Sequence, residues 1–236
     1  MFNASAEYYD VIYGAFKDYA AEVAQVASLL RRLNPDCLTL LDVGCGTGEH
    51  ARRLAEQGFA VDGIDIEPAF VRMASLKHPA GRFIEADMSA FELPDRYDAV
   101  LCLFSSIGYL CTLDRVTRAL DCFRAHLAPR GVLLVEPWFP PGVLDSDKRS
   151  THTGEAQGVK VSRHSRAEID GTLSRLLFDY EIDDHGIVGR MSEVHELGLF
   201  TTEEMMRAFQ AARFDVQHDP KGLTGRGLFI ARSTRP

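Results

Sequence analysis

Apolar positions fall first at helical spacing and then in short continuous runs. Between Lys17 and Leu33, the residues Tyr19, Val23, Val26, Ala27, Leu30 and Leu33 share one broad helical face. Asn34-Pro35 stops that helix. From Cys37 onward strand and helix signals alternate. Cys37–Val43 reads as a first strand, and Glu49–Gln57 as a helix closed by Gly58. Phe59–Asp65 is a second strand, and Pro68 opens a helix that runs to Lys77. Arg82–Ile84 is a short third strand, and Tyr97–Leu103 is a fourth, apolar enough to be central. Thr112 can cap a helix to Leu127, after which Pro129-Arg130-Gly131 turns into a fifth strand, Val132–Glu136. The pattern predicts an α/β, doubly wound parallel sheet with helices on both faces.

At residue 140 the pattern breaks. Lys160–Ile169, Leu173–Asp183 and Ile187–Leu197 alternate as strands, with Asp170-Gly171 and Asp184-His185-Gly186 between them as turns. This predicts an antiparallel β insertion over residues 140–198, covering one end of the sheet. The βα pattern resumes at Thr201-Thr202-Glu203-Glu204, a capping-box arrangement that opens a helix to Ala212. Strands near Phe214–Gln217 and Leu228–Ala231 follow. The chain thus reads as one domain: an N-terminal helical segment (1–35), a core (36–139 and 199–236) and the insertion.

Composition narrows the function. The 236 residues carry a formal net charge of -8, which disfavours a nucleic-acid or membrane-surface role. Locally the balance reverses. Lys148, Arg149, Lys160, Arg163, Arg166 and Arg175 face only Glu155, Glu168 and Asp170 in their stretch, and the tail holds Lys221, Arg226, Arg232 and Arg235. Solvated surface charge accounts for most of these residues, although an anionic substrate could use either patch. The five cysteines include no CxxC pair and sit largely in apolar runs, which fits a reducing cytoplasm. Met1–Ser5 shows no leader features, and no apolar run reaches membrane-spanning length.

The chemistry begins at Leu40-Leu41-Asp42-Val43-Gly44-Cys45-Gly46-Thr47-Gly48-Glu49-His50. Glycines at alternate positions after a strand mark a tight loop whose backbone approaches a ligand. A dinucleotide site would space them GxGxxG. Here the third glycine comes one position early, and Glu49 would face a pyrophosphate, so the loop suits a nucleoside without phosphate. Asp65, at the carboxyl end of the second strand, can accept both ribose hydroxyls, whereas Asp62 lies mid-strand. Asp87 alone reads as a turn residue. Beside the other motifs, it is placed to take an adenine amine, with Met88 as an apolar wall.

Asp42–Gly48, Asp65, Asp87-Met88 and Leu127–Gly131 together resemble the class I S-adenosylmethionine-dependent methyltransferases, over about residues 36–136 and 201–232. The resemblance implies a Rossmann-like seven-stranded sheet with its last strand antiparallel, and S-adenosyl-L-methionine as the cofactor. It places Gly44, Cys45 and Gly46, then Asp65 and Ile66, then Asp87 and Met88, and finally Leu103 and Phe104 around that cofactor, with no metal. Transfer from a sulfonium is a direct displacement, in which alignment supplies most of the rate. Tyrosine faces suit the cationic sulfur, so Tyr9, Tyr13 and Tyr19 are candidates for a wall. They serve equally well as core anchors.

A closer resemblance lies outside the shared core. Lys17-Asp18-Tyr19, Phe104-Ser105-Ser106-Ile107-Gly108-Tyr109-Leu110, Glu136-Pro137-Trp138-Phe139-Pro140 and Gly225-Arg226-Gly227-Leu228-Phe229 resemble the nucleotide-linked 3-amino-sugar N,N-dimethyltransferases of desosamine and mycaminose biosynthesis. That implies Tyr109 beside the sugar amine as the catalytic position and Arg226 at the substrate diphosphate. Tyr19, Ser106 and Trp138 join them around the acceptor. The partners implied are a small-molecule substrate, the nucleotide-sugar among the candidates, and a second copy of the chain as a homodimer. Each residue also has a plainer role: Tyr109 as a packed aromatic, Trp138 as a core plug, Arg226 as a turn residue. His126 reads as a helix-terminus residue, and His50 as touching the cofactor or lying on a helix surface. The chain departs from the family at Gly44, commonly alanine there, and at Asp65, more often Glu, both chemically conservative changes; the insertion at 141–190 matches poorly. Rival readings are a methyltransferase for another small amine, hydroxyl or carboxylate, a nicotinamide-dependent oxidoreductase, and a non-catalytic module that binds S-adenosylmethionine.

Overall fold

The apolar runs become the strands of one twisted sheet. The computed structural model describes residues 5–234; Met1–Ala4, with most of the segment that shows no leader features, and Arg235 of the basic tail lie outside them. A short 3-10 turn, Ala6–Tyr8, leads into α1 (Tyr9–Gly14) and α2 (Tyr19–Leu33). Then β1 (Thr39–Val43), α3 (Glu49–Glu56), β2 (Ala60–Asp65), α4 (Pro68–Lys77) and β3 (Phe83–Glu85) alternate. β4 (Tyr97–Cys102), α5 (Leu113–Ala125) and β5 (Leu127–Val135) complete that half. The insertion follows as β6 (Arg149–Ala156), β7 (Val159–Asp170), β8 (Leu173–Asp184) and β9 (Ile187–Gly198), before α6 (Thr202–Ala211), β10 (Phe214–Asp219) and β11 (Leu228–Ser233).

The seven-stranded sheet has the order β3-β2-β1-β4-β5-β11-β10. β11 is antiparallel to both β5 and β10, while β1 to β5 are parallel. The order reverses between β1 and β4, which opens a crevice beyond their carboxyl ends. Alternation along β1 feeds two cores: Leu41 and Val43 pack with Phe123 and Phe209, whereas Leu40 packs with Leu30 and Leu54. A third core joins α1 to the insertion through Ile12, Tyr13, Val161, Phe178 and Tyr180. The insertion is a separate antiparallel sheet ordered β6-β7-β8-β9.

Some boundaries differ from the sequence reading. The helix expected to reach Leu127 stops at Ala125, because Leu127 already pairs with Tyr97. The register then shifts, Ala99 pairing with Val132, so Pro129-Arg130-Gly131 is a bulge inside β5 rather than a turn before it. The insertion has a fourth strand, β6. Its sequence RSTHTGEA is polar on both faces and has no period-2 apolar signal to reveal it. The expected capping box is present: Thr201 Oγ1 accepts from the Glu204 amide at 3.1 Å, and Glu204 accepts from the Thr201 amide at 2.8 Å. Among the described residues, no helix is long and apolar enough to cross a membrane.

Candidate active site

A cavity of about 590 Å³ lies over the crevice between β1 and β4, roofed by α1 and by β7 and β8 of the insertion. Its floor is the glycine loop. Gly44, with φ +70°, lies so close to Ser106 that a Cβ there would sit 2.8 Å from the Ser106 side chain. Alanine at this position, expected to be a conservative alternative, would therefore be strained by its backbone conformation and would force Ser106 to shift. Gly46, with φ +54°, is different, since a Cβ there would meet nothing within 4 Å and would only take up open space.

Asp65 ties the loop to β2. Its carboxylate accepts from the Gly46 amide at 2.8 Å and from the Glu67 amide at 2.9 Å, while burial pushes its pKa above the usual carboxylate value. Asp87 borders the same cavity. Burial acts to raise its pKa, but bonds from the Ser89 amide and hydroxyl, and Arg115 at 2.8 Å, hold it below the usual value. Behind the loop is a void of about 40 Å³ lined by Tyr19, Asp42, Cys45, His50 and Leu103, among others. Asp42 Oδ2 is buried there without a hydrogen-bond partner among the described residues. Burial raises the Asp42 carboxyl to about 6, with Asp65 adding to the effect and His50 opposing it. An open loop cradle, two accepting carboxylates on the cavity and an orphaned carboxylate oxygen behind the loop suit a cationic nucleoside with an amino-acid tail.

The opposite wall is organised by Glu136, which is fully buried. It accepts from the Phe104 amide at 2.7 Å and from the Thr224 hydroxyl, and stands 3.8 Å from Arg226. These bonds help hold Phe104 (φ 52°) and Ser105 (φ 64°) in the left-handed region, a strained pair just beyond β4. Ser105 in turn donates to the Pro137 carbonyl at 2.6 Å and accepts from Arg226 at 2.9 Å. The three distinctive segments around 104–110, 136–140 and 225–229 are therefore one hydrogen-bonded unit. Arg226 lies 4.9 Å from the Phe104 ring centre and borders the cavity. Trp138 also borders it and donates to Ser174 Oγ at 2.9 Å, which fastens this wall to the insertion.

The main cavity gathers most of the expected residues: Tyr9, Tyr13, Gly44, Gly46, Asp65, Ile66, Asp87, Met88, Phe104, Ser106, Tyr109, Trp138 and Arg226. Cys45 and Leu103 line only the smaller void behind the loop, and burial pushes the Cys45 thiol well up. Tyr19, expected beside the acceptor, is likewise on that void, with its ring edge-on to His50 at 5.0 Å. His50 is no surface residue, since it is buried and lies 3.0 Å from Glu22, which also pairs with Lys17 at 2.5 Å. His126 holds the end of α5, accepting from the Leu93 amide at 2.8 Å through Nε2.

Sequence reading assigned no role to His195 or Glu193, and it placed Arg163 only in a basic patch of solvated charge or anionic-substrate contacts, whereas Arg163 is buried. Tyr109 Oη lies 3.0 Å from His195 Nδ1, and His195 Nε2 lies 3.4 Å from Glu193. The guanidinium of Arg163, 5% exposed, sits 4.8 Å from the Tyr13 ring centre and 4.5 Å from that of Phe178. Among the described residues, its Nε and Nη1 have no hydrogen-bond partner. The available signal was Glu193 and His195 two apart on a strand, on the same face.

Residues 40–131 match the family described as a methyltransferase domain. Over 227 residues the chain is 40% identical to the dTDP-3-amino-3,6-dideoxy-alpha-D-glucopyranose N,N-dimethyltransferase of Streptomyces fradiae, covering 95% of this chain and 89% of that enzyme. The structure of DesVI from Streptomyces venezuelae superposes with a TM-score of 0.91 at 34% identity, covering 97% of this chain and 98% of that one. CalS10 with bound S-adenosylmethionine, an amino pentose methyltransferase from Micromonospora echinaspora involved in calicheamicin biosynthesis, gives 0.85 at 35% identity, covering 99% and 98%. With this cavity and these relatives, the chain belongs to the class I S-adenosylmethionine-dependent methyltransferases, in the group of the sugar N-methyltransferases.

Proposed function

We propose that this protein transfers methyl groups to the amine of a dTDP-linked amino sugar, as a step in antibiotic biosynthesis. The observation that carries the reading is one continuous cavity whose lining runs from the glycine loop past Tyr109 to Arg226. When bound, S-adenosylmethionine supplies a methyl group on a positively charged sulfur. Gly44, Gly46, Asp65 and Asp87 would hold its nucleoside end, with Ile66 and Met88 beside the base. Tyr9, Tyr13 and Phe104 present aromatic faces to a cation and exclude water. Burial keeps the hydroxyl of Tyr109 far from ionisation, so Tyr109 acts as a hydrogen-bonding neutral phenol and not as a phenolate base. Arg226 presents a planar fork of donors suited to diphosphate oxygens.

In this reading residues 1–35 are the lid, 36–139 and 199–236 bind the donor, and 140–198 bind the acceptor. The protein works in the cytoplasm on small molecules, as a homodimer, with no nucleic-acid partner. The test is turnover with S-adenosylmethionine and a dTDP-linked amino sugar, against the same nucleotide sugar bearing a hydroxyl in place of the amine. Methylation of the amine alone is expected. Equal turnover with neither, alongside methylation of an unrelated small hydroxyl or carboxylate, would move the protein to a different acceptor.

A further inference from the structure

Behind Tyr109 stands a chain of groups that the transfer itself does not require. Tyr109 lies on the 3-10 turn Ser106–Leu110, and its hydroxyl meets Nδ1 of His195 on β9 at 3.0 Å. Nε2 of the same ring faces Glu193 at 3.4 Å. Glu193 also accepts from the Ser5 amide at 3.0 Å and from the Ser5 hydroxyl at 2.6 Å. His195 is 0% exposed and the Glu193 side chain 7%.

The directions of these bonds can be worked out. Donors converge on Glu193 from Ser5, so it is an acceptor-only carboxylate, and the imidazole must turn an Nε2–H towards it. Burial pushes His195 below the ordinary histidine value, with the Glu193 bond opposing and Arg163 reinforcing the shift, so the ring is neutral near physiological pH. A neutral ring protonated on Nε2 has a bare Nδ1. Tyr109 must therefore donate its only hydrogen to His195. Among the described residues, the Phe178 ring flanks the imidazole at 5.0 Å and the Arg163 charge nearby disfavours an imidazolium, which agrees with this order.

We infer that His195 and Glu193 are positioning residues that lock Tyr109 as a hydrogen-bond acceptor towards the substrate nitrogen, so that the site engages only a nitrogen that still carries a hydrogen. The inference rests on the amine-acceptor reading above. An N–H directed at Tyr109 Oη points the nitrogen lone pair elsewhere, which leaves it free for the methyl donor. A primary amine and the monomethyl amine both carry such a hydrogen. A dimethyl amine in its neutral, nucleophilic form carries none and loses its anchor, while its protonated form has no lone pair to attack, so the sequence of transfers stops at two. A Tyr109 free to rotate could instead donate to the lone pair and block the nucleophile.

Two measurements test this. The first needs no substrate: nitrogen-15 NMR of histidine-labelled protein, with the His195 signals identified by their loss in His195→Asn. A neutral ring protonated on Nε2 is expected near neutral pH; a ring protonated on Nδ1, or an imidazolium, overturns the inference. The second compares His195→Leu with His195→Asn, whose side-chain oxygen can replace Nδ1 as the acceptor. His195→Leu should lower kcat on the order of 10²-fold, as misplacement of an aligned group can, with KM for the amino sugar unchanged or lower. His195→Asn should restore most of kcat. Equal kcat in wild type and His195→Leu, or a loss that Asn does not restore in a variant that melts like wild type, overturns it. If the wild-type protein methylates no amino sugar, the amine-acceptor reading fails by itself, and the ring tautomer still decides the hydrogen-bond order.

Discussion

Replacing Arg226 by alanine separates the diphosphate role from a purely structural one. Arg226 donates Nε to Thr224 at 3.0 Å and Nη1 to Ser105 at 2.9 Å, and the rest of its fork borders the cavity. A charge-assisted contact to a diphosphate oxygen is worth about 1.5–3 kcal/mol, so acceptor binding should weaken about 10- to 150-fold. The change also leaves Glu136 buried without its cation. Glu136 keeps its bonds from Phe104 and Thr224, and the pair is loose at 3.8 Å, so the stability loss should be about 1–3 kcal/mol. Titration calorimetry separates the two effects. The dTDP-linked amino sugar should lose affinity by the stated factor, while the free amino sugar and S-adenosylhomocysteine should bind as to wild type. An equal loss for linked and free sugar, or no loss for either, would refute a diphosphate contact and leave Arg226 as a wall brace.

Four further substitutions test the site. Asp42 titrates near 6 in the folded chain, against an ordinary value of 3.8. Its contribution is therefore fully present below about pH 4 and is lost as pH rises through about 6, a change of about 3 kcal/mol. Denaturant midpoints measured from pH 4 to 7 should fall more steeply for wild type than for Asp42→Asn, and parallel curves would contradict the burial argument. Gly46→Ala forces a left-handed alanine, at about 1–2 kcal/mol, and puts a methyl into open cavity space. S-adenosylhomocysteine should bind at least tenfold more weakly while the circular dichroism spectrum is kept, and unchanged affinity would show that the loop does not approach the donor. Tyr13→Ala should weaken donor or acceptor binding through the main cavity. Tyr19→Ala should affect the donor alone, and loss of acceptor affinity in Tyr19→Ala would put that ring back on the acceptor side.

The parallel core was legible because its strands are buried on both faces and separated by strong punctuation: Gly58, Pro68, Asn34-Pro35. The donor half of the site was legible for a related reason. Gly44, Gly46 and Asp65 act through backbone geometry and short-range spacing, both of which sequence displays. Strand β6 stayed hidden because an edge strand such as Arg149–Ala156 needs no apolar alternation. Tyr19 lines the void behind the loop, a placement that its spacing from Tyr13 does not display. The spacing of Glu193 and His195 puts them on one strand face but does not reveal Tyr109 as their partner, since His195 meets it across 86 residues through the fold of the insertion. Gly44 gave the clearest lesson on context: it looks exchangeable for alanine until Ser106 is placed 2.8 Å from where that Cβ would sit.

The central claim is that one cavity brings a methyl donor to the amine of a nucleotide-linked sugar. Its most direct test is mass spectrometry of the sugar after incubation with S-adenosylmethionine bearing a deuterated methyl group. The account predicts labelled mono- and dimethylated amino sugar, with no trimethyl product and with one S-adenosylhomocysteine formed per methyl. An unlabelled sugar, or label on oxygen with the amine untouched, would contradict it.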